Sequence, residues 1–353
     1  MQPAPPPRRG RLADGREILY FDDPGPARPA PPPDRRDLPS RGEPADLRRD
    51  ALLDEWVLVA THRQDRTHLP AASDCPLCPS RDGLHTEIPA AEYDVVAFEN
   101  RFPSLPAAVP GEAAHGRCDV IVYSSDHDAS FSGLPEVRLR TIAAAWGQRT
   151  AELGAQAGVA NVFCFENRGE EIGVTLHHPH GQVYAYPFVP PRIERMLGAA
   201  RRHHDATGRC IGCDLLAAEV NDGERIVLEG EHAVAYVPRA ARWPYEAHLV
   251  PRRHVPDLAA LSDEERDEAV MLQADLLRRL DSLFDRPAPY MAGWLQAPTS
   301  DGRELHHLRL QVVTPRRAAS KLKFLAGSES LAGAWINDIR PEEAAQRLRE
   351  AGS

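Results

Sequence analysis

The stretch HHPHGQVYAYP, residues 177–187, decides how the rest of the chain is interpreted. It contains three histidines, His177, His178 and His180, with a proline between the last two and Gln182 close behind them. Imidazoles at this spacing can ligate a metal or act as a nucleophile, and they can also be ordinary surface polar residues. The choice among these roles depends on the partners that the rest of the chain supplies.

Length, composition and charge limit the possible classes of protein. The chain has 353 residues, 42% of them apolar, which is enough for one large domain or two of ordinary size. No apolar run approaches the roughly 20 residues that span a bilayer, and the N-terminus lacks the apolar segment of a secretory signal. We therefore expect a soluble, cytoplasmic protein without a membrane partner. The formal net charge of -10 argues against a nucleic-acid partner, although a few local arginines can still hold a phosphate.

The chain divides into a tail and two similar halves. Residues 1–45 are rich in proline and arginine, interrupted by the segment EILYFDD, and predict a mostly extended or disordered tail. Residues 46–195 and 196–353 then repeat one order of elements: C-x-x-C, strands, a helix, a strand and a histidine-containing segment. This duplication predicts an α+β fold of two similar units that share one sheet system.

The helix of the second half has the clearest sequence pattern. Its stretch LSDEERDEAVMLQADLLRRLDSLF begins with Ser262, and Glu265 follows three residues later, which predicts a capping box. The apolar residues of one helical face are Val270, Leu277, Leu280 and Phe284.

Two C-x-x-C pairs, each followed by two histidines, predict two zinc sites. The ligand sets are Cys75, Cys78, His127 and His178 in the first half and Cys210, Cys213, His254 and His307 in the second. Thiolates and imidazoles together suit tetrahedral zinc, and four protein ligands leave no open position, so both sites are interpreted as structural. The choice of His307 over His306 follows from aligning HLRLQ with HPHGQ. As an alternative, His127 and His254 are ordinary loop histidines.

The same alignment separates His180 from the metal ligands. It pairs His178 with His307, His180 with Arg309, and Gln182 with Gln311. The repeated unit therefore does not need a histidine at position 180. A neutral imidazole is a good nucleophile near pH 7 and forms a reactive phosphoramidate with phosphorus. We predict His180 as the nucleophile, Gln182 as a donor to phosphoryl oxygens, and Gly181 as a position that lets a phosphate approach the backbone.

With these motifs the chain resembles the galactose-1-phosphate uridylyltransferase family, a branch of the histidine-triad superfamily. The motifs that carry the resemblance are the C-x-x-C cysteines, SSDH, FENRG, HPHGQ and KFLAGSES, and it covers about residues 46–349. It implies two tandem histidine-triad-like units with antiparallel sheets and flanking helices. It also implies a double displacement in which UDP-glucose gives its uridylyl group to His180 and galactose 1-phosphate takes it. The family forms homodimers whose active sites use residues of both subunits.

The resemblance further implies which residues bind the substrates. They are Arg63 and Arg66 at the nucleotide diphosphate, Asn100 at the uridine, Asn167 at the phosphates, Gly173, Thr175 and Gln182 at the phosphoryl group, Lys323 and Phe324 at the sugar nucleotide, and Glu329 at the sugar hydroxyls. Ser328 departs from the pattern, because some members carry a tyrosine just before the glutamate, and this leaves the sugar contacts there open.

Some members of the family bind iron in the second half. The matching positions in this chain hold poor iron ligands, namely Met196, Leu295, Gln311 and Val313. We therefore expect no iron site.

Three alternative functions are weighed against this interpretation. An ADP-sugar or dinucleotide phosphorylase of the same fold would use the same His180, and HPHGQ does not reveal the base. A non-catalytic zinc-binding adaptor or nucleic-acid module is disfavoured by the acidic charge and by an intact HPHGQ. A redox role for C-x-x-C is disfavoured because CPLC lies among proline and glycine rather than at the start of a helix that follows a strand.

Overall fold

The structure, a computed structural model, describes residues 5–38, 45–81, 83–105, 116–284 and 286–352. The strands, in chain order, are β1 (Arg8–Arg11), β2 (Glu17–Phe21), β3 (Asp46–Asp50), β4 (Glu55–Val59), β5 (Val95–Glu99), β6 (Arg117–Val122), β7 (Asn161–Arg168), β8 (His180–Tyr186), β9 (Ile226–Glu229), β10 (Ala233–Tyr236), β11 (Ala247–Pro251), β12 (Tyr290–Leu295), β13 (Arg309–Val313), β14 (Arg316–Ala318) and β15 (Lys321–Leu322). The α-helices are α1 (Glu136–Gly154), α2 (Pro191–Thr207), α3 (Ile211–Asp222), α4 (Asp263–Ser282), α5 (Gly327–Ser330) and α6 (Pro341–Glu350).

One antiparallel sheet runs through both halves. Its order is β1-β2-β5-β6-β8-β7-β12-β13-β11-β10-β9, and β3–β4 and β14–β15 form two separate hairpins. The second half repeats the strand order of the first in reverse, and the halves meet where β7 pairs with β12. At this seam Phe165 pairs with Gly293, and the two residues occupy equivalent positions in their own halves. The halves are therefore related by a local two-fold axis. The predicted α+β fold of two units sharing one sheet is confirmed.

Helices α1 and α4 cover one face of this sheet and contact each other. The capping box of α4 is confirmed, because the Ser262 hydroxyl accepts from the Glu265 amide at 3.2 Å and the Glu265 carboxylate accepts from the Ser262 amide at 2.8 Å. Leu277 and Leu280 of its apolar face are fully buried in the main core, together with Trp146 of α1. In the described part of the chain, no helix combines the length and apolar character needed to cross a membrane.

The N-terminal segment differs from the predicted disordered tail. Strand β1 pairs with β2, and β2 pairs with β5, so residues 8–21 extend the main sheet. The side chain of Arg16 has no exposed area and forms ion pairs with Asp14 at 2.7 Å and Glu87 at 2.6 Å. The prediction of disorder is therefore wrong for residues 8–21. Composition averaged over the tail concealed the apolar run ILYF, which is buried in the sheet; residues 1–4 and 39–44 lie outside the described residues.

Candidate active site

His180 is the first residue of strand β8, between β6 and β7 in the first half of the sheet. Its Nδ1 lies 2.7 Å from the backbone carbonyl oxygen of His178. A carbonyl can only accept, so Nδ1 carries the hydrogen and Nε2 keeps the lone pair. Burial lowers the pKa of His180, which keeps the ring neutral at pH 7. The imidazole is thus held in the tautomer that a nucleophilic Nε2 requires.

The side chain of His180 lines a cavity of about 630 Å³. This volume falls within the roughly 300–1,000 Å³ of small-molecule sites. The cavity brings together several of the predicted site residues, namely Arg63, Arg66, Asn100, Thr175 and Gln182. Other parts of its wall are apolar, with Leu77, Leu84, Phe98 and Val120. Cationic donors beside apolar surface suit a ligand with anionic groups and a flat ring.

Gly181 lies between His180 and Gln182 on β8. A Cβ at this position would lie 2.0 Å from the Tyr123 hydroxyl oxygen and 2.9 Å from the carbonyl oxygen of Phe165. Neither neighbour leaves room for a side chain. A glycine is therefore required here because of packing beneath the strand. This packing, rather than the predicted close approach of a phosphate, is the main constraint on the residue at position 181.

The first predicted metal set is confirmed as a cluster. The ligand atoms of Cys75, Cys78, His127 and His178 all lie within 4.8 Å of one another. His178 donates from Nε2 to the carbonyl of Ser124 at 2.7 Å, which turns the lone pair of Nδ1 toward the Cys75 and Cys78 sulfurs at 3.7 and 3.5 Å. A carbonyl that fixes the ring of a ligating histidine in this way is usual in metal sites.

The second predicted set has the same arrangement, in Cys210, Cys213, His254 and His307. His307 donates from Nε2 to the carbonyl of Pro251 at 2.9 Å and turns Nδ1 to the Cys213 sulfur at 3.5 Å. His306 instead directs its Nε2 to the carbonyl of Leu295 at 3.0 Å and is outside the cluster. The cluster thus contains His307, the histidine that the alignment chose.

The chemistry of both clusters fits a divalent cation. Burial and the neighbouring thiol raise the pKa of Cys78 to about 12 and that of Cys213 to about 11. Two adjacent thiolates in such surroundings therefore need a nearby positive charge. Two sulfurs with two imidazole nitrogens are the donor set that zinc prefers.

Two other predicted residues lie near His180 without lining this cavity. Asn167 lines a small neighbouring recess of about 40 Å³, which His178 and His180 also line. Gly173 ends a short helical turn with a left-handed φ of 79°, a conformation that favours glycine. It precedes Thr175, which lines the cavity, by two residues.

The remaining three predicted residues lie elsewhere in the chain. Lys323 forms an ion pair with Glu329 at 2.7 Å and donates to the Arg242 carbonyl at 2.7 Å, with Nζ 5.5 Å from the centre of the Trp243 ring. Phe324 is 78% exposed. None of the three lines the His180 cavity of its own chain.

Sequence reasoning missed several residues of the cavity wall. They are Arg35, Arg36, His85, Glu87 and Arg101. Arg101 directly follows the predicted Asn100 in FENRF and could have been found there. Arg35 and Arg36 could not, because the segment that carries them was interpreted as a disordered tail.

Comparison with known proteins agrees with this geometry. Family profiles of the galactose-1-phosphate uridyl transferase N-terminal and C-terminal domains match residues 41–190 and 198–352. The galactose-1-phosphate uridylyltransferase of Streptomyces lividans is 46% identical in an alignment 356 positions long, which covers 96% of this chain and 96% of that protein. The enzyme of the same name from Thermotoga maritima is 41% identical over 318 residues, which cover 86% of this chain and 98% of that protein.

A solved uridylyltransferase structure superposes with a TM-score of 0.78 at 31% identity, covering 86% of this chain and 98% of that chain. Both halves, both cysteine pairs and the HPHGQ strand fall within the matched residues. The chain is therefore a nucleotidyltransferase and belongs to the galactose-1-phosphate uridylyltransferase family.

Proposed function

We propose that the chain transfers a uridylyl group from UDP-glucose to galactose 1-phosphate through a covalent intermediate on Nε2 of His180. The observation that carries the proposal is the hydrogen bond from Nδ1 of His180 to the His178 carbonyl at 2.7 Å. This bond leaves Nε2 as the nitrogen with a free lone pair, on a side chain that lines a cavity of nucleotide size.

The two steps balance without an external acid or base. In the first, Nε2 attacks the α-phosphorus of UDP-glucose, the N–P bond forms, and the bond from that phosphorus to the bridging oxygen breaks. Glucose 1-phosphate leaves with the electron pair, and the ring becomes cationic. The His178 carbonyl still accepts from Nδ1 and stabilises this positive charge. In the second step, a phosphate oxygen of galactose 1-phosphate attacks the same phosphorus and the N–P bond breaks, which returns the lone pair to Nε2.

Donors around the cavity are suited to the phosphoryl oxygens. Arg63 donates from Nη1 to the Ser104 hydroxyl at 2.6 Å and to the Phe102 carbonyl at 3.1 Å, so its guanidinium is held in place while other N–H groups remain for a phosphate. Thr175 and Arg66 add a hydroxyl and a second cation. Gln182 offers amide donors but no titratable proton, which favours transfer to a sugar phosphate over activation of water.

Zinc at both clusters is part of the proposal. It would supply the positive charge that the paired thiolates need. In the first half, Cys75, Cys78 and His127 would then hold His178, whose carbonyl orients the nucleophile two residues later. Four protein ligands leave no open coordination position, so the role is structural.

We also propose a homodimer in which the loop after Lys323 reaches the partner's cavity. Three apolar side chains of this loop are exposed, with Phe324 at 78%, Leu325 at 41% and Leu331 at 89%. An exposed apolar group on a short, well-anchored loop is typical of an interface. The buried pair of Lys323 with Glu329 anchors it. Sedimentation of the protein and of a Phe324→Ser variant would measure the assembly, and a wild-type monomer would contradict it.

The mass of the intact protein after mixing with UDP-glucose alone tests the main proposal. We expect a uridylyl adduct on the wild type and on a His177→Gly control, and none on His180→Gly. Galactose 1-phosphate should remove the adduct. An adduct from ADP-glucose but not from UDP-glucose would instead favour the phosphorylase alternative, and no adduct from either donor would exclude His180 as the nucleophile.

A further inference from the structure

Part of the cavity wall comes from residues that precede the N-terminal family profile. The match begins at residue 41, yet four residues that precede it line the His180 cavity: Arg35, Arg36, Asp37 and Leu38. We propose that this segment, residues 34–38, walls the end of the site that receives the nucleoside of the donor, and that it selects a pyrimidine over a purine nucleotide. The proposal rests on the proposed function and adds to it a determinant of base selectivity.

A single buried carboxylate ties the segment to the wall. Oε1 of Glu87 accepts from Nη1 of Arg36 at 2.7 Å, and Oε2 accepts from Nη2 of Arg16 at 2.6 Å. Arg36 also pairs with Asp34 at 2.8 Å. The Arg36 and Glu87 side chains are only 10% and 11% exposed, so solvent screens this pair far less than a surface ion pair. The wall is therefore fixed in position rather than loosely associated.

The same anchor reaches both neighbours of Asn100, the residue that the family resemblance places at the uridine. Arg16 donates to the carbonyl of Glu99 at 2.8 Å, and Nη1 of Arg101 lies 3.9 Å from Oε1 of Glu87. Of the proposed phosphoryl donors, Gln182 lies on β8, two residues after His180. We therefore place the segment at the end of the cavity that holds Asn100, which the proposal assigns to the nucleoside.

The chemistry of the segment favours uracil. Arg35 is exposed on the cavity wall, and its guanidinium is a pure donor. Uracil presents carbonyl oxygens at its edge, as thymine does with O4, whereas adenine presents an amino donor beside its N7 acceptor, and the amino group repels a guanidinium donor. A wall held by ion pairs also limits the depth available to the larger purine. Both effects oppose ADP-sugars more than UDP-sugars.

Substitutions of two arginines in the wall and of one arginine outside it test the proposal. Arg36→Gln and Arg35→Gln change the wall, and Arg28→Gln is the matched control. Arg28 also carries two carboxylate partners, Asp94 at 2.8 Å and Asp22 at 3.8 Å, but does not line the cavity. We expect Arg36→Gln to lower kcat/KM for UDP-glucose about tenfold and to lower the ratio of UDP-glucose to ADP-glucose use to a similar extent. Arg35→Gln should act in the same direction, and Arg28→Gln should leave the ratio unchanged.

The second half-reaction supplies an internal readout. Its kcat/KM for galactose 1-phosphate should stay within about twofold, because the nucleoside is then already covalently held. An unchanged ratio in both wall variants, or an equal loss for galactose 1-phosphate, would overturn the proposal. Binding of UDP and ADP measured by calorimetry on wild type and Arg36→Gln separates the two claims. If wild type forms no uridylyl adduct, the proposed function fails, yet a loss of UDP preference in the variant would still support the wall.

Discussion

Strands β8 and β13 occupy equivalent places in the two halves and carry different chemistry. Gln182 on β8 lies beside Val120 in the sheet register and lines the open cavity. On β13, Gln311 lies beside His248 and donates to Glu246 at 2.5 Å, while His248 contacts the same carboxylate at 3.0 Å. In the second half, the place that corresponds to the cavity beside Gln182 is thus filled by side chains of the chain itself.

The metal clusters, in contrast, are alike in the two halves. In each, a backbone carbonyl accepts from Nε2 of a histidine and turns Nδ1 to the sulfurs, from Ser124 in the first half and Pro251 in the second. The cluster therefore belongs to the folded unit, whereas the proposed catalysis depends on a few side chains at the start of one strand.

Removing the nucleophile should give the largest difference between the halves. His180→Gly should lower kcat by roughly 10⁴-fold or more, since the covalent intermediate cannot form. The equivalent change in the second half, Arg309→Gly, should lower kcat by less than about tenfold. Steady-state rates with both substrates measure this. Comparable losses in the two variants would contradict a catalytic role confined to β8.

Breaking one metal cluster at a time should separate stability from chemistry. Cys75→Ser and Cys213→Ser should each reduce the zinc content from two ions to one and lower the melting temperature strongly, because metal binding is coupled to folding. Cys75→Ser should also lower kcat in the protein that stays folded, since His178 orients His180. Elemental analysis and calorimetry provide the readouts. A zinc-free protein with normal melting would contradict the structural assignment.

The two glutamines should respond in opposite ways. Gln182→Ala should lower kcat/KM about tenfold or more with little change in melting, because it removes a donor to the phosphoryl group. Gln311→Ala should lower the free energy of unfolding by about 1–3 kcal/mol with little change in rate, because the buried Glu246 loses a hydrogen bond. Denaturant unfolding and kinetics of both variants test the contrast. A rate loss confined to Gln311→Ala would reverse the comparison.

The last prediction concerns the seam between the halves. There Tyr290 of β12 donates to Glu166 of β7 at 2.7 Å, and burial raises the pKa of Glu166 to about 7. The folded state therefore holds a proton that the unfolded chain releases at lower pH. Stability should fall as the pH rises toward 7 and level off above it.

Glu166→Gln tests this pH dependence. The substitution keeps an acceptor for Tyr290 and removes the titration, so it should abolish that slope and stabilise the protein at pH 8 by at most about 3 kcal/mol. Unfolding curves across pH provide the measurement. A wild type whose stability does not change between pH 5 and pH 8 would show that Glu166 is ionised throughout.

The sequence allowed prediction of what is repeated or locally spaced. The cysteine pairs and their histidines recur at equivalent places, so the alignment could choose His307 over His306. The capping box of α4 lies within four residues. Both kinds of pattern can be recognised without knowledge of contacts between residues that are far apart in the sequence.

Other features depend on partners far along the chain. Arg16 and Arg36 are ordered by Glu87, which lies 71 and 51 positions away, and their own proline-rich surroundings predict disorder. The tight contact of Gly181 with Tyr123 is equally invisible in HPHGQ. The resemblance also does not say which chain a residue serves. In the structure neither Lys323 nor Glu329 lines the His180 cavity of its own chain.

The continuous sheet has a consequence for motion during turnover. Because β7 and β12 are joined by backbone hydrogen bonds at the centre of eleven strands, no hinge exists between the halves along this seam. Opening of one half against the other is therefore not a route by which substrates enter or leave the cavity. The distance between the two cysteine–histidine clusters should accordingly stay constant through the catalytic cycle.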